Sequence, residues 1–377
     1  MDSNFIYLDY NATTPVDERV LETMLPFFSQ SYANPSGSHL QSLSIADSVE
    51  QYTEDMADLL GTRASNIVYT SGATEAVNLA IKGLLPAARK HILTVASEHK
   101  AVLHTCEAIA ALGYQVSFLP VGADGMIDLE QLAAAITSET LLVCVMLVNN
   151  ETGVIHPIRQ IAAAAHRQGA LLLCDATQAV GKVRIDVRDL DVDMMAFSAH
   201  KFYGPKGIGG LYCADGVRKK LSPLIHGGGQ QGKARSGTLN VPGIVGMGKA
   251  LSLAMAQLQA DETRIGGLRD LLEDGLLQIV GTFRNGTAQH RLYNTSNICF
   301  PGVLSEQLIR DLGTISVSSG SACSAVTSRP SHVLQAMGLS DSEALSSLRF
   351  SLGRSTTEAE IRSVIDRITQ SVSKLRY

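Results

Sequence analysis

The sequence predicts an α/β protein. A large domain carries a mainly parallel, seven-stranded sheet between helices, and a smaller α+β domain follows. Three observations predict this. Apolar runs of strand length recur through the first two-thirds of the chain. Helical patterns lie between several of them. The pattern then breaks near Val241-Pro242-Gly243. Strands that are apolar throughout, and are joined by helices, belong to a parallel sheet covered on both faces.

The candidate strands are Ile67 to Tyr69, His91 to Val95, Val116 to Leu119, Leu141 to Val148, Leu171 to Cys174, Met194 to Phe197 and Ile208 to Tyr212. Helical stretches include Glu75 to Leu85, Ala101 to Leu112 and Ile158 to Gln168. A long helix is expected from about Ile244 to Leu277, then strands around Asn297 to Phe300 and Ile315 to Val317. Thr356-Thr357 signals the start of a closing helix over Glu358 to Leu375. The domain boundary is expected inside the long helix. Residues 11–258 are expected to form the large domain and residues 259–377 the small one.

The chain has 377 residues and a formal charge of -5, which gives no general attraction to nucleic acid or acidic lipid. The N-terminus lacks a basic segment followed by an apolar one, and the longest apolar runs fall short of the ~20 residues that span a bilayer. A cytoplasmic protein without direct nucleic-acid or membrane contact is expected. Six cysteines show no zinc-type pairing, and no metal is expected. Cys106, Cys144, Cys174, Cys213 and Cys299 sit in apolar or helical stretches and read as small core residues.

Chemistry collects at the strand ends, where ligands bind in doubly wound sheets. The first strand runs into Thr70-Ser71-Gly72-Ala73-Thr74-Glu75 and a helix. Free N–H groups there suit a phosphate, although an ordinary helix start accounts for them equally well. The next strand leads to His99, which can stack on an aromatic ring, move protons or simply hydrogen-bond at the surface. Leu141 to Val148 ends in Asn149-Asn150-Glu151, able to orient a ligand or form a polar turn. Asp175 follows three leucines and a cysteine, with Gln178 three residues on. A carboxylate there needs a partner, such as a protonated pyridine nitrogen, or it caps a helix. Lys201 ends Ser198-Ala199-His200-Lys201, 26 residues later. A lysine desolvated in that turn is poised to attack an aldehyde such as pyridoxal phosphate. Asp175 and Lys201 would then bracket one ring, with Ser198 and His200 near its phosphate.

With these residues in view, the chain resembles a cysteine desulfurase, a fold-type I pyridoxal-phosphate enzyme of the class V aminotransferase family, close to the housekeeping iron–sulfur-assembly branch. The resemblance covers nearly the whole chain. It rests on Leu8-Asp9-Tyr10-Asn11-Ala12-Thr13-Thr14-Pro15, the Thr70 to Glu75 turn, Glu98-His99 and Val148 to Gly153. It continues through Asp175 to Gln178, Ser198 to Lys201, Arg235-Ser236-Gly237-Thr238, Ser319 to Cys323 and Ser347 to Arg354.

The resemblance implies that Lys201 joins the cofactor covalently and His99 stacks on its ring. Asp175 holds the ring nitrogen, Gln178 the ring hydroxyl, and Ala73, Thr74, Ser198 and His200 the phosphate. Thr238 would reach the phosphate of a second subunit, implying a homodimer with shared sites. Asn11, Asn150 and Arg349 would position L-cysteine. That residues 1–10 join the small domain is likewise implied only by the resemblance. Cys323, in a run of small residues within a loop of about 317–330, would take the sulfur as a persulfide and pass it to an acceptor protein.

The chain departs from that branch in two places. Gln231 stands where glutamate is usual, with Lys233-Ala234 beside it. The final helix stops at Lys374-Leu375-Arg376-Tyr377, without the tail that docks a scaffold protein. A dedicated acceptor is therefore expected, in iron–sulfur assembly, tRNA thiolation or DNA phosphorothioation. A selenocysteine lyase or another β-lyase shares Lys201 and Asp175; turnover of cysteine against selenocysteine in Cys323→Ala separates these. An inactive sulfur-relay scaffold would purify colourless.

Overall fold

The computed structural model describes residues 5–319 and 329–376. The expected loop cysteine, Cys323, lies outside the described residues. Seven strands form the main sheet in the order Ile67–Thr70, Gly209–Cys213, Met194–Ser198, Leu171–Asp175, Thr140–Met146, His91–Val95, Gln115–Leu119. The last five are parallel to one another, and Gly209–Cys213 alone runs antiparallel to both of its partners. Six of the strands thus point the same way, so their carboxyl ends share one edge.

Alternation along each strand feeds two cores. Leu93, Val143, Leu172, Cys174, Met195 and Phe197 face one side, under helices Leu40–Leu60, Ile158–Arg167 and the first half of Val241–Leu276. Ile92, Leu142, Cys144, Leu173, Met194 and Ala196 face the other, under Ala73–Lys82 and Lys100–Ala110. Cys106, Cys144, Cys174, Cys213 and Cys299 are all buried.

The Val241–Leu276 helix is long and apolar enough to cross a membrane by length and composition. The contiguous-run reading of the sequence did not register this, because glycines and scattered polar residues interrupt it. The helix packs as a core element: Ile244, Val245, Met247, Leu251 and Ala254 are buried against the large sheet. Farther along, Ile265, Leu268, Leu272 and Leu276 are buried in a second core with Ile298, Phe350 and the Glu358–Arg376 helix. That core sits on a three-stranded antiparallel sheet, Ser347–Ser351, Thr295–Cys299 and Phe283–Arg284. Ile6–Tyr7 pairs with Ile315–Ser316 as a separate parallel pair, so Leu8 also enters this second core. Ile315–Ser316 therefore belongs with the N-terminus rather than with the Thr295–Cys299 strand.

The strand Ile67–Thr70 is an edge strand, and an unpaired edge invites aggregation. Gln231 covers it. Its Oε1 accepts from the Tyr69 N–H at 2.6 Å, and its Nε2 donates to the Tyr69 carbonyl at 3.0 Å. The carboxamide thus mimics one residue of a neighbouring strand, which explains the amide at this position. A carboxylate can accept from Tyr69 but cannot donate back. Gln231→Glu should lower stability by about 1–2 kcal/mol through the unsatisfied carbonyl, read as a lower urea midpoint with unchanged slope.

Candidate active site

The shared edge opens into a cavity of about 590 Å³. Asn11, Ala73, Thr74, His99, Asn150, Asp175, Gln178, Ser198, His200, Lys201 and Arg349 all line it. Thr238 does not; it is exposed on the surface. Glu151, read from the sequence as able to orient a ligand, lines the cavity as well, and so do Glu75, Lys100, Thr177, Lys206 and His332, to which sequence reasoning gave no role of their own.

The phosphate-sized corner is built by close approach. A side chain at Gly209 would sit 2.6 Å from the Gly72 Cα, so two glycine backbones touch there. Gly72 precedes the Ala73–Lys82 helix, which has no side-chain cap. Its opening N–H groups and the positive end of its dipole therefore remain for an anion, beside Ser198 and His200. Glu75 is withdrawn from that role, since it accepts from the Ser71 N–H at 2.7 Å and pairs with Arg235 at 2.9 Å.

Asp175 ends its strand without capping a helix. One carboxylate oxygen accepts from the Thr177 N–H at 2.9 Å and from the Thr177 hydroxyl at 2.5 Å, which fixes the group at the cavity wall. His99 caps the Lys100–Ala110 helix, its Nδ1 accepting from the Ala101 N–H at 3.1 Å. Burial lowers its pKa from the usual histidine value. Burial also takes His200 down to about 4, so a neutral imidazole stands at the phosphate corner.

Beneath these groups, Glu98 is fully buried, with one oxygen accepting from the Met146 N–H at 2.7 Å and the other without a partner among the described residues. Burial raises its pKa well above the usual glutamate value. Glu151 is pushed by burial up to about 7 and accepts from the Ser331 hydroxyl at 2.5 Å.

Lys201 follows Met194–Ser198 by three residues. Its Nζ donates to the carbonyls of Asn11 at 2.6 Å and Ala12 at 2.8 Å. Burial, helped by the nearby Arg349 charge, brings its amine down to about 8. Arg349 donates to the Asn150 carbonyl at 2.9 Å and to Asp9 at 2.6 Å. Its Nε and the Asn150 Oδ1 are buried with no hydrogen-bond partner among the described residues. Unmet donors and acceptors on a cavity wall call for a polar ligand.

The aminotransferase class-V family model matches residues 6–364. A cysteine desulfurase IscS from Anaeromyxobacter dehalogenans is 46% identical over 98% of this chain and 93% of its own. The chain belongs to the cysteine desulfurases of the class-V aminotransferase family. A solved NifS-like protein superposes on it with a TM-score of 0.92 at 36% identity, covering 98% of this chain and all of that one. A structure titled SspA in complex with cysteine gives 0.82 at 39% identity, covering 92% and 98%. The fold is that of fold-type I enzymes, and the family's cofactor is pyridoxal 5'-phosphate.

The residues present fit that cofactor. An uncapped helix start, a fixed carboxylate, a lysine of lowered pKa and two unmet polar atoms occupy one cavity. Attack on an aldehyde needs the neutral amine, whose fraction rises with pH. Capture of pyridoxal phosphate by the apo-protein should speed up about tenfold per pH unit below pH 8 and level off above it. Stopped-flow absorbance checks this. The same lowered pKa means the unfolded chain binds this proton more tightly. Its contribution to stability therefore rises with pH between about 8 and 10.5.

Proposed function

We propose that this chain removes sulfur from L-cysteine, releases L-alanine and passes the sulfur, as a persulfide on Cys323, to an acceptor protein. The observation that carries the reading is the placement of Lys201 and Asp175, from successive strand ends, on one cavity wall. Names of relatives and of a neighbour with bound cysteine support the substrate.

Ala73, Thr74, Ser198 and His200 would hold the phosphate of the cofactor, Asp175 its ring nitrogen and Gln178 its ring oxygen. When bound, the cofactor supplies an electron sink for the substrate's α-carbon. Arg349 retains N–H groups beyond those given to Asp9 and Asn150, enough to grip a carboxylate. Asn11 and Asn150 flank it. Lys201 moves the α-proton, and His99 shuttles protons at the ring face. The Cys323 thiolate takes the sulfur: cysteine plus thiol gives alanine plus persulfide, with no outside oxidant. Iron–sulfur assembly, tRNA thiolation and DNA phosphorothioation are the acceptor classes considered.

The protein acts as a homodimer in this reading. Leu21, Leu25, Phe28, Tyr32, Leu40 and Leu43 are exposed, Tyr32 at 74% and Leu40 at 84%. So many large apolar side chains crowded into residues 21–43 suit an interface. Exposed Thr238 is then available to a second copy's phosphate. The large domain is residues 11–258, and the small domain is residues 1–10 and 259–377.

One experiment tests the whole reading. Purified protein should be yellow, and borohydride should fix the cofactor on the Lys201 peptide. L-cysteine should give one alanine per sulfur, with persulfide recovered on Cys323. Colourless protein, or sulfur on another cysteine, sinks it.

A further inference from the structure

Gln178 is followed by a turn, Ala179-Val180-Gly181-Lys182, that is jammed against the catalytic lysine's neighbour. Gly181 has φ +76°, and a Cβ there would lie 2.5 Å from the Phe202 Cβ. Phe202 directly follows Lys201. Glycine is therefore required twice over, by conformation and by contact. The result is a second lysine delivered to the back of the site.

Lys182 is buried, at 6% exposure. Its Nζ donates to Gln178 Oε1 at 2.7 Å and to Asn11 Oδ1 at 3.3 Å. Both partners are neutral amides. The ionic groups that act on it, Lys201 and Arg349, are cations, and with burial they lower its pKa well below the usual lysine value. An amine buried this way costs stability, and an apolar side chain of similar length would be tolerated at least as well. Packing alone does not explain it.

The two hydrogen bonds do. A carboxamide has nearly the same shape with oxygen and nitrogen exchanged, so packing cannot choose between the two orientations. Lys182 claims the oxygen of Gln178. The nitrogen end is then turned away from it, one hydrogen going to the Asn11 carbonyl at 2.9 Å. The second hydrogen is left for the cavity that Gln178 lines. The same amine steadies the Asn11 side chain, and the Asn11 carbonyl receives the Lys201 amine at 2.6 Å.

We infer that Lys182 is a positioning residue that locks the Gln178 carboxamide with its donor end toward the bound cofactor's ring oxygen. The inference rests on the reading that Gln178 donates to that oxygen. It assigns the buried amine to binding at the expense of folding stability.

A double-mutant cycle on full-length apo-protein tests it, with pyridoxal phosphate as the ligand and melting temperature as a second readout. Lys182→Met should melt no lower than wild type, since it removes a buried amine. It should weaken cofactor binding about five- to tenfold, the worth of one hydrogen bond. In a Gln178→Ala background the same change should weaken binding less than about twofold, because the group it acts through is gone. Equal losses in both backgrounds, unchanged affinity, or a lower melting temperature (failure to fold included) would overturn the inference. Lys201→Ala separates this from failure of the underlying reading. If wild type and Lys201→Ala bind the cofactor alike, the site itself is misread; if they differ while the cycle is additive, only the role of Lys182 falls.

Discussion

Cys323→Ala should purify yellow, take up L-cysteine and yet form no persulfide. The substrate's sulfur must leave as part of a new S–S bond, and none of the other five cysteines is free to make one. Cys106, Cys144, Cys174, Cys213 and Cys299 are all buried. Burial also raises the thiol pKa of Cys213 up to about 12 and of Cys299 up to about 11, so neither supplies thiolate near neutral pH. Alanine release under acceptor conditions should fall by at least about 10²-fold, since only slow elimination remains. The absorbance change on adding cysteine should persist, because Lys201, Asp175 and Arg349 are untouched. Persulfide formation at the normal rate in this variant would remove Cys323 from the mechanism.

Lys201→Ala should be equally severe for a different reason. The amine is both the attachment point and the nearest base, and a positioned base contributes about 10²–10⁴-fold. Its lowered pKa is set by burial and by Arg349, which an alanine does not alter. The phosphate corner and Asp175 also survive, so the variant should still bind pyridoxal phosphate, but reversibly by dialysis. Added methylamine should restore part of the cofactor's imine band without restoring turnover, because a free amine is not held at the α-proton. Restored turnover without any added amine would place the base elsewhere.

The main sheet was legible because its strands are short, mostly apolar runs set between helical patterns, and the observed bounds fall within a residue or two of those expected. The small sheet was less so. Ser347–Ser351 reads Ser-Leu-Arg-Phe-Ser, and its arginine and serines mask a strand that faces a cavity on one side and a core on the other. Phe283–Arg284 is only two residues long, below what periodicity detects. Asp175 and Lys201 stood out because a charge at the end of an apolar run is unusual. Lys182 carried no such mark: it sits in a Gly-Lys turn that looks like surface. Glu151 and Ser331 meet across 180 residues of sequence, and His332 reaches the Glu98 carbonyl across 234. Contacts of that range depend on how the two sheets pack together, which no local pattern encodes. In the sequence Gln231 shows only as an amide where glutamate is usual, whereas in the fold it pairs with a strand edge.

The Val241–Leu276 helix is also a lever. Its 36 residues rise about 54 Å in all at 1.5 Å each. One half is embedded beside the strands that carry Asp175 and Lys201; the other abuts the Thr295–Cys299 strand, partner of the strand bearing Arg349. A bend of about 5° at its midpoint swings the far end by roughly 2 Å, and misplacement by 1 Å is enough to cost about 100-fold in rate. The stiffness of this one rod therefore limits how accurately a substrate's carboxylate can be registered against the amine that must deprotonate it.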